Sequence, residues 1–520
     1  MPEHQPDSEN FNIIDLFYDK ARQYPNKTAL VFRNKKIAFK DFARSVDHTA
    51  QHFLNKGIQK GDRILVFIPM SIDLYRVVLA IFRIGATAVF LDEWVGINRL
   101  NTCCRMADCR AFVGSPKGRI LAWFIPGLRR IPLHLGPGWS SSESLTALPK
   151  TSADDMALIT FTTGSSGTPK AAIRTHRLLH EQFKALEPIL AIHPDDICLT
   201  TLPIVLLINL AAGNTSVLGE FNSRKPATQK PEQLAGLLRK HAVNCLIASP
   251  FFVKNISEYL LNNAEECPSL TKVFTGGAAV FSSEARLFQQ ALPKARITVV
   301  YGSTEAEPIS SISGKTLAAM GYGSLPFGLP VGQPEPVAKV RILKITDEPV
   351  AVSSEEDLDQ WTLLPDEIGE IIVSGPHVLQ AYLHNQKALE RNKIFVNDQC
   401  WHRTGDSGYL DQAGHLFLTG RCDTLISRGP AWLSPFLYEA RFQELTTVQA
   451  GTLVEVDKRL VAVVEPRAGV HPTSLRESIA TLSLYFDRLV FTKKIPRDPR
   501  HYSKIDYERL KKALKAGQIK

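Results

Sequence analysis

Apolar positions in the first third of the chain switch between two spacings. Over residues 11–24 they recur at helical intervals, with Ile13, Ile14, Leu16, Phe17 and Ala21 on one side. Two short apolar runs follow, at 28–32 and 36–39, and the polar turn Arg33-Asn34-Lys35 separates them, so both read as strands. A helix over 40–56 closes at Gly57, which suits the left-handed position past a helix end. A strand over 63–68 leads through Pro69 into a helix over 71–84, closed by Gly85, and a further strand covers 86–91. Short apolar strands recur at 111–114, 243–249, 272–274 and 296–301. Strands alternating with helices predict an α/β domain with parallel pairing. From Gly323 the pattern changes. Gly323, Pro326, Gly328, Pro330, Gly332, Pro334 and Pro336 crowd together, and short strands at 338–344, 369–374 and 415–419 predict a β-rich unit. Beyond Arg421 strand and helix mix again, ending in an amphipathic helix over 505–516. The expected division is 1–420 and 421–520.

Composition narrows this picture a little. A chain of 520 residues exceeds one hydrophobic core, and 44% hydrophobic with 22% charged residues is ordinary for a globular protein. The net charge of +9 fits a phosphorylated ligand and a solvated basic surface equally well. No basic stripe points to nucleic acid. The eight cysteines lack metal-ligand spacing and read as reduced thiols of a cytoplasmic protein. His176 and His180 lie four apart on a predicted helix but have no Cys or acidic partners at ligand spacing. The apolar runs at 76–91 and 202–212 are interrupted or too short to span a bilayer, so no stable membrane insertion is expected.

Candidate chemistry centres on Phe161-Thr162-Thr163-Gly164-Ser165-Ser166-Gly167-Thr168-Pro169-Lys170, directly after the apolar run 156–160. Glycines let backbone N–H groups turn towards an anion, hydroxyls donate hydrogen bonds, and Lys170 adds a positive charge. A Gly/Ser/Thr loop is also a common surface connection. The Gly-x-x-x-x-Gly-Lys-Ser/Thr pattern of P-loop proteins is absent. Five further stretches carry chemistry-bearing residues: Thr275-Gly276-Gly277-Ala278-Ala279, Tyr301-Gly302-Ser303-Thr304-Glu305, Arg403-Thr404-Gly405-Asp406, Gly420-Arg421-Cys422-Asp423 and Arg500-His501-Tyr502-Ser503-Lys504-Ile505.

In this order and spacing, over nearly the whole chain, the six stretches resemble the adenylate-forming superfamily of acyl-CoA synthetases, peptide-synthetase adenylation domains and luciferases. The resemblance implies an α/β fold: a large N-terminal domain of two α/β subdomains plus a β-rich subdomain, and a small mobile α+β C-terminal lid. It implies that Thr163, Gly164, Ser165, Ser166, Gly167, Thr168 and Lys170 wrap the β- and γ-phosphates of ATP. Gly277, Ala278 and Tyr301 would hold adenine, and Thr304 would touch the α-phosphate. Glu305 would bind Mg²⁺, Asp406 the ribose hydroxyls with Arg421 beside it, and Asp423 would be the hinge. Lys504 would bridge the acyl carboxylate and the α-phosphate. The residue types suit the reaction, because a carboxylate attacking an anionic phosphorus needs cations to bring the two together.

The stretches 495–505, 401–410 and 301–309 look like those of the β-lactone synthetases of bacterial olefin biosynthesis and of fatty acid–CoA ligase-like proteins. The apolar stretches 201–210 and 250–252 suggest a fatty or aliphatic acid, although apolar runs also serve as core. The expected activity is adenylation of a medium- or long-chain fatty or β-hydroxy fatty acid, then transfer to a thiol such as CoA. Closure of a β-hydroxy acid to a β-lactone is the alternative, and a non-catalytic nucleotide-binding module is the competitor of another class. The sequence departs from the family at Leu91-Asp92-Glu93-Trp94-Val95, at Ala171, and at Leu425-Ile426-Ser427-Arg428-Gly429-Pro430, where a residue and a lysine are missing. In CoA ligases that last loop helps admit the thiol, so the departure bears on CoA use. A monomer or homodimer is expected.

Overall fold

The computed structural model describes residues 10–91, 97–137, 145, 147–163, 169–219, 229–320, 328–429, 431–497 and 504–519. Among them, strands assemble into two large sheets and two small ones. The first large sheet runs Leu133–Leu135, Ala111–Gly114, Arg63–Phe67, Thr87–Phe90, Met156–Thr163, all parallel, with Pro169–Thr175 antiparallel on its edge. Its strands are apolar runs because helices cover both faces.

The second large sheet has two characters. Its parallel half orders Arg296–Ser303, Lys272–Gly276, Cys245–Ala248, Ile197–Thr200, Thr215–Leu218 and Thr28–Phe32, with Lys35–Ala38 as an antiparallel edge. The strand Ala306–Ser313 turns back on Arg296–Ser303 and pairs through Leu329–Pro334 to the antiparallel, β-rich half. That half holds Leu416–Arg421, Gln399–Leu410, Gly369–Ser374 and Lys339–Leu343. The α/β and β-rich units read from the sequence are therefore joined in one sheet.

From Ile426 the chain forms a hairpin, Ile426–Arg428 with Ala431–Leu433, and then a three-stranded sheet of Val448–Val456, Arg459–Pro466 and Arg488–Phe491. The helices Pro435–Gln443, Pro472–Ala480 and Tyr507–Lys515 pack on it around cores of their own, with Phe442, Leu453, Val464 and Leu475 in one and Val463, Ile495 and Leu510 in the other. This is the small α+β unit. It meets the rest of the chain where Phe281 and Phe436 pack edge to face at 5.9 Å and Arg286 pairs with Glu444.

The predicted helices before residue 91 form with shifted ends. The one expected over 11–24 is Asp15–Gln23, that over 40–56 is Phe39–Asn55, and that over 71–84 is Ile72–Arg83, capped by Ser71 accepting from Leu74 N–H at 3.3 Å. Gly57 and Gly85 take φ of 76° and 66°, as the helix stops required. His176, at the start of the helix His176–Leu190, pins the fold rather than facing a site. His176 is fully buried, accepts from Ile13 N–H at 3.3 Å through Nδ1, and is pushed down to about 4 by burial.

Candidate active site

Two sheets meet along one short segment. Residues 378–383 cross from one to the other: Ala306 bridges Val378, Leu379 N–H donates to Glu305 O at 2.8 Å, and Ala172 bridges Tyr382. Leu383 N–H completes the seam by donating to Ala171 O at 2.9 Å. Buried Arg174 adds a side-chain tie, giving Nη1 to Thr160 Oγ1 at 2.6 Å and Nη2 to Thr304 O at 3.0 Å. Backbone pairing thereby brings Lys170, on the edge strand of one sheet, to Glu305, in the hairpin turn of the other.

Tyr382 is the pivot between them. Its hydroxyl donates to Glu305 Oε1 at 3.3 Å, and Lys170 Nζ stands 5.8 Å from its ring centre. Lys393 Nζ lies 5.7 Å from the same ring. Cations near an aromatic face are attracted by its quadrupole. Lys170 also donates to Asn392 Oδ1 at 2.9 Å. Burial lowers its pKa, and Glu305 opposes that shift. Lys393 is buried, donates to Leu379 O, and is pushed down to about 8 by burial.

A second group forms around Asp406. Tyr301 donates its hydroxyl to Oδ2 at 2.9 Å and Arg421 donates Nη1 to Oδ1 at 2.8 Å, with Arg421 Nη1 also 2.9 Å from Thr404 O. Burial, then Asp406, holds the Tyr301 phenol well above its ordinary range. Each carboxylate oxygen keeps a second lone pair, so Asp406 can still accept from a diol. Gly405, directly before this carboxylate, reads from sequence alone as a turn. Residues 403–406 instead lie inside the strand Gln399–Leu410, kinked at Gly405, whose φ is 69°. A Cβ there would come within 2.6 Å of Arg421 Nη2, so glycine lets the guanidinium lie across the kink. The kink is fixed from behind by a buried ion pair, Arg403 to Glu370 at 2.6 Å, while Glu370 Oε1 accepts from Gly405 N–H at 3.1 Å. Arg403 also donates to Glu348 O and Thr346 O, so four of its five N–H groups have partners.

Tyr301 and Glu305 belong to the same hairpin, so the two groups adjoin. Gly277 follows the strand Lys272–Gly276 with φ of 83° and open space where a Cβ would be; Ala278 beside it is half-buried. Gly276 has no such freedom, since a Cβ would meet Val300 O at 2.4 Å. Thr304 is half-buried with its carbonyl held by Arg174. Thr163 pairs Pro169 through the backbone, so the Gly/Ser/Thr stretch 161–170 spans a hairpin and Lys170 sits on a strand rather than in the loop. Gly164, Ser165, Ser166, Gly167 and Thr168 lie outside the described residues, as does 498–503. Asp423 is exposed in the short turn Cys422–Thr424 after Arg421. Lys504 is exposed on the C-terminal unit, one residue before Ile505, which bridges Arg497.

The family model for AMP-binding enzymes matches residues 17–383. The chain belongs to the AMP-binding enzyme family. It is an adenylate-forming ligase. Among relatives, an olefin β-lactone synthetase of Xanthomonas campestris is 27% identical over 492 residues, 87% of this chain and 86% of that one. The medium-chain fatty-acid–CoA ligase of Escherichia coli is 24% identical, with 94% and 88% covered. ATP-bound MatB from Rhodopseudomonas palustris shares the fold at a TM-score of 0.80 and 20% identity, over 97% of this chain and 99% of that one.

For this AMP-binding enzyme, sequence reasoning missed Tyr382, Lys393, Asn392, Arg174 and Glu370. None stands in a Gly-rich or acid-rich pattern, and only the sheet pairing brings them to the site. The apolar 201–210 stretch divides. Leu206 and Leu210 of the helix Val205–Ala212 belong to the main core, whereas Leu202, Val205 and Leu207 stay half-buried. Among the described residues no His, Cys, Asp or Glu cluster could hold a metal by protein ligands alone, and no helix is long and apolar enough to cross a membrane.

Proposed function

We propose that the chain activates a medium- or long-chain β-hydroxy fatty acid as its acyl-adenylate, releasing pyrophosphate, and that the acid's own hydroxyl then attacks the activated carbonyl, giving up its proton and expelling AMP, to give a β-lactone. The observation that carries the first step is the adjacency of the Tyr301–Asp406–Arg421 group to the Lys170–Tyr382–Glu305 group. One offers a ring and a diol acceptor, the other a cation and a carboxylate. Tyr301 stacks on adenine with Gly277 and Ala278 at its edge, and Asp406 takes the ribose hydroxyls on its spare lone pairs. Lys170, with the 163–168 loop, holds the β- and γ-phosphates, and Thr304 faces the α-phosphate. Lys504, carried in by the 421–520 unit turning about Asp423, draws the acid's carboxylate to the α-phosphorus.

One carboxylate beside the phosphate-binding lysine, Glu305, fits Mg²⁺, which keeps waters and phosphate oxygens and takes only one or two carboxylates from protein. Bound there, the ion would neutralise phosphate charge. Tyr382 fixes the orientation of Glu305, and Lys170 balances its charge.

The lactone step leans on the two β-lactone synthetase relatives, at 27% and 29% identity. Transfer to CoA is the second reading, and the fatty-acid–CoA ligase relative favours it. Product analysis separates them. A β-hydroxy acid with ATP and without CoA gives β-lactone on the first reading; stalled adenylate that needs CoA to turn over contradicts it.

A further inference from the structure

The helix Pro116–Phe124 is amphipathic the wrong way round. It buries Gly118 and Ala122 against the sheet and turns Ile120, Trp123 and Phe124 outward, at 64%, 75% and 78% exposure. These three occupy positions i, i+3 and i+4, one face of a helix. A surface helix of a globular protein normally does the reverse, and apolar side chains this large and this exposed mark an interaction site.

The surroundings are basic. The chain steps from Thr87–Phe90 over Arg63–Phe67 to Ala111–Gly114, and then on to Leu133–Leu135. Both crossovers move the same way across a parallel sheet, so right-handed connection puts their helices on one face. The packing agrees. Gly127, in the short helix Pro126–Arg129, donates its N–H to Asn101 Oδ1 at 2.7 Å on the helix Ile97–Ala107. This layer carries exposed Lys117 and Arg119 on the trio's own helix, and exposed Arg129 and Arg130 at the end of the short helix that follows it. Residues 97–137 hold seven Lys or Arg against one Asp, a net +6 within a chain whose total is +9.

We propose that this layer is a peripheral docking surface for an anionic lipid membrane. Protruding Trp, Phe and Ile enter the headgroup boundary, and the surrounding arginines and lysine meet lipid phosphates and carboxylates. A second copy of the chain is the poorer occupant, because a two-fold contact would set this basic patch against itself. Contact of this size is reversible and spans nothing. The inference does not depend on which acid the enzyme activates.

The test is co-sedimentation of the full chain with phosphatidylcholine vesicles, with and without about a third phosphatidylserine. Binding to the anionic vesicles alone, weakened at high salt, is expected. Arg129→Glu with Arg130→Glu lowers that binding by more than about tenfold, and Trp123→Ser with Phe124→Ser lowers it comparably. Both double variants keep wild-type ATP–pyrophosphate exchange in vesicle-free solution. No binding by wild type, equal binding to neutral vesicles, or either folded variant binding like wild type overturns the proposal. So does a wild-type dimer that Trp123→Ser with Phe124→Ser converts to monomer, since the patch would then be a self-interface.

Discussion

Tyr301 and Asp406 are 105 residues apart in sequence and share one hydrogen bond. Both were legible, because Tyr301 opens one recognisable short motif and Asp406 closes another. Their bond was not, since it depends on a register between distant strands. Tyr301→Phe keeps the ring and removes the donor to a carboxylate, so KM for ATP should rise by about tenfold, a loss of about 1.5 kcal/mol, with kcat nearly unchanged. Tyr382→Phe removes the donor to Glu305 and leaves that carboxylate to reorient. Half-maximal activity should then need about tenfold more Mg²⁺, read from a Mg²⁺ titration at saturating ATP; an unchanged titration would separate Glu305 from the metal. Lys393 was illegible for a different reason. A lysine in a polar stretch reads as solvated, and only its burial beside Tyr382 shows otherwise.

At the scale of elements, strands and helices were legible where apolar runs were bounded by glycine or proline. Sequence reading failed at Ala306–Ser313, whose mixed Ser and Glu content hides a strand, and at the kinked strand Gln399–Leu410. The kink predicts a cost. Glu370→Ala strands Arg403 in the interior and should destabilise the chain by about 3–5 kcal/mol, measured by denaturant melting. The C-terminal unit holds a second buried carboxyl. Glu439, on Pro435–Gln443, accepts from Thr452 Oγ1 at 2.9 Å and from Tyr507, which begins the last helix. Burial pushes Glu439 up from 4.5 to about 7. A folded-state value above the unfolded one means the fold holds this proton more tightly. The contribution is full below about pH 4.5 and is lost as pH rises through about 7. The change is on the order of 3 kcal/mol. Glu439→Gln cannot ionise, so its stability relative to wild type should rise between pH 5 and pH 8 in thermal melts; a constant difference would contradict the assignment.

For the whole molecule, the decisive feature is the 378–383 segment that ties the edge of one sheet to the hairpin of the other and so makes one site from motifs far apart in the chain. The C-terminal unit rests on this body through Phe281–Phe436 and Arg286–Glu444. Arg286→Glu would set two carboxylates together and should speed proteolysis between residues 421 and 434. The central claim is that nucleotide and carboxylic acid meet at this convergence. Acid-dependent ATP–pyrophosphate exchange tests it most directly, comparing wild type with Asp406→Ala and Lys504→Ala. Exchange stimulated by fatty or β-hydroxy fatty acids, and cut by about a hundredfold or more in Lys504→Ala, is the predicted result. Absence of exchange with any such acid, or full exchange in both variants, would contradict the account.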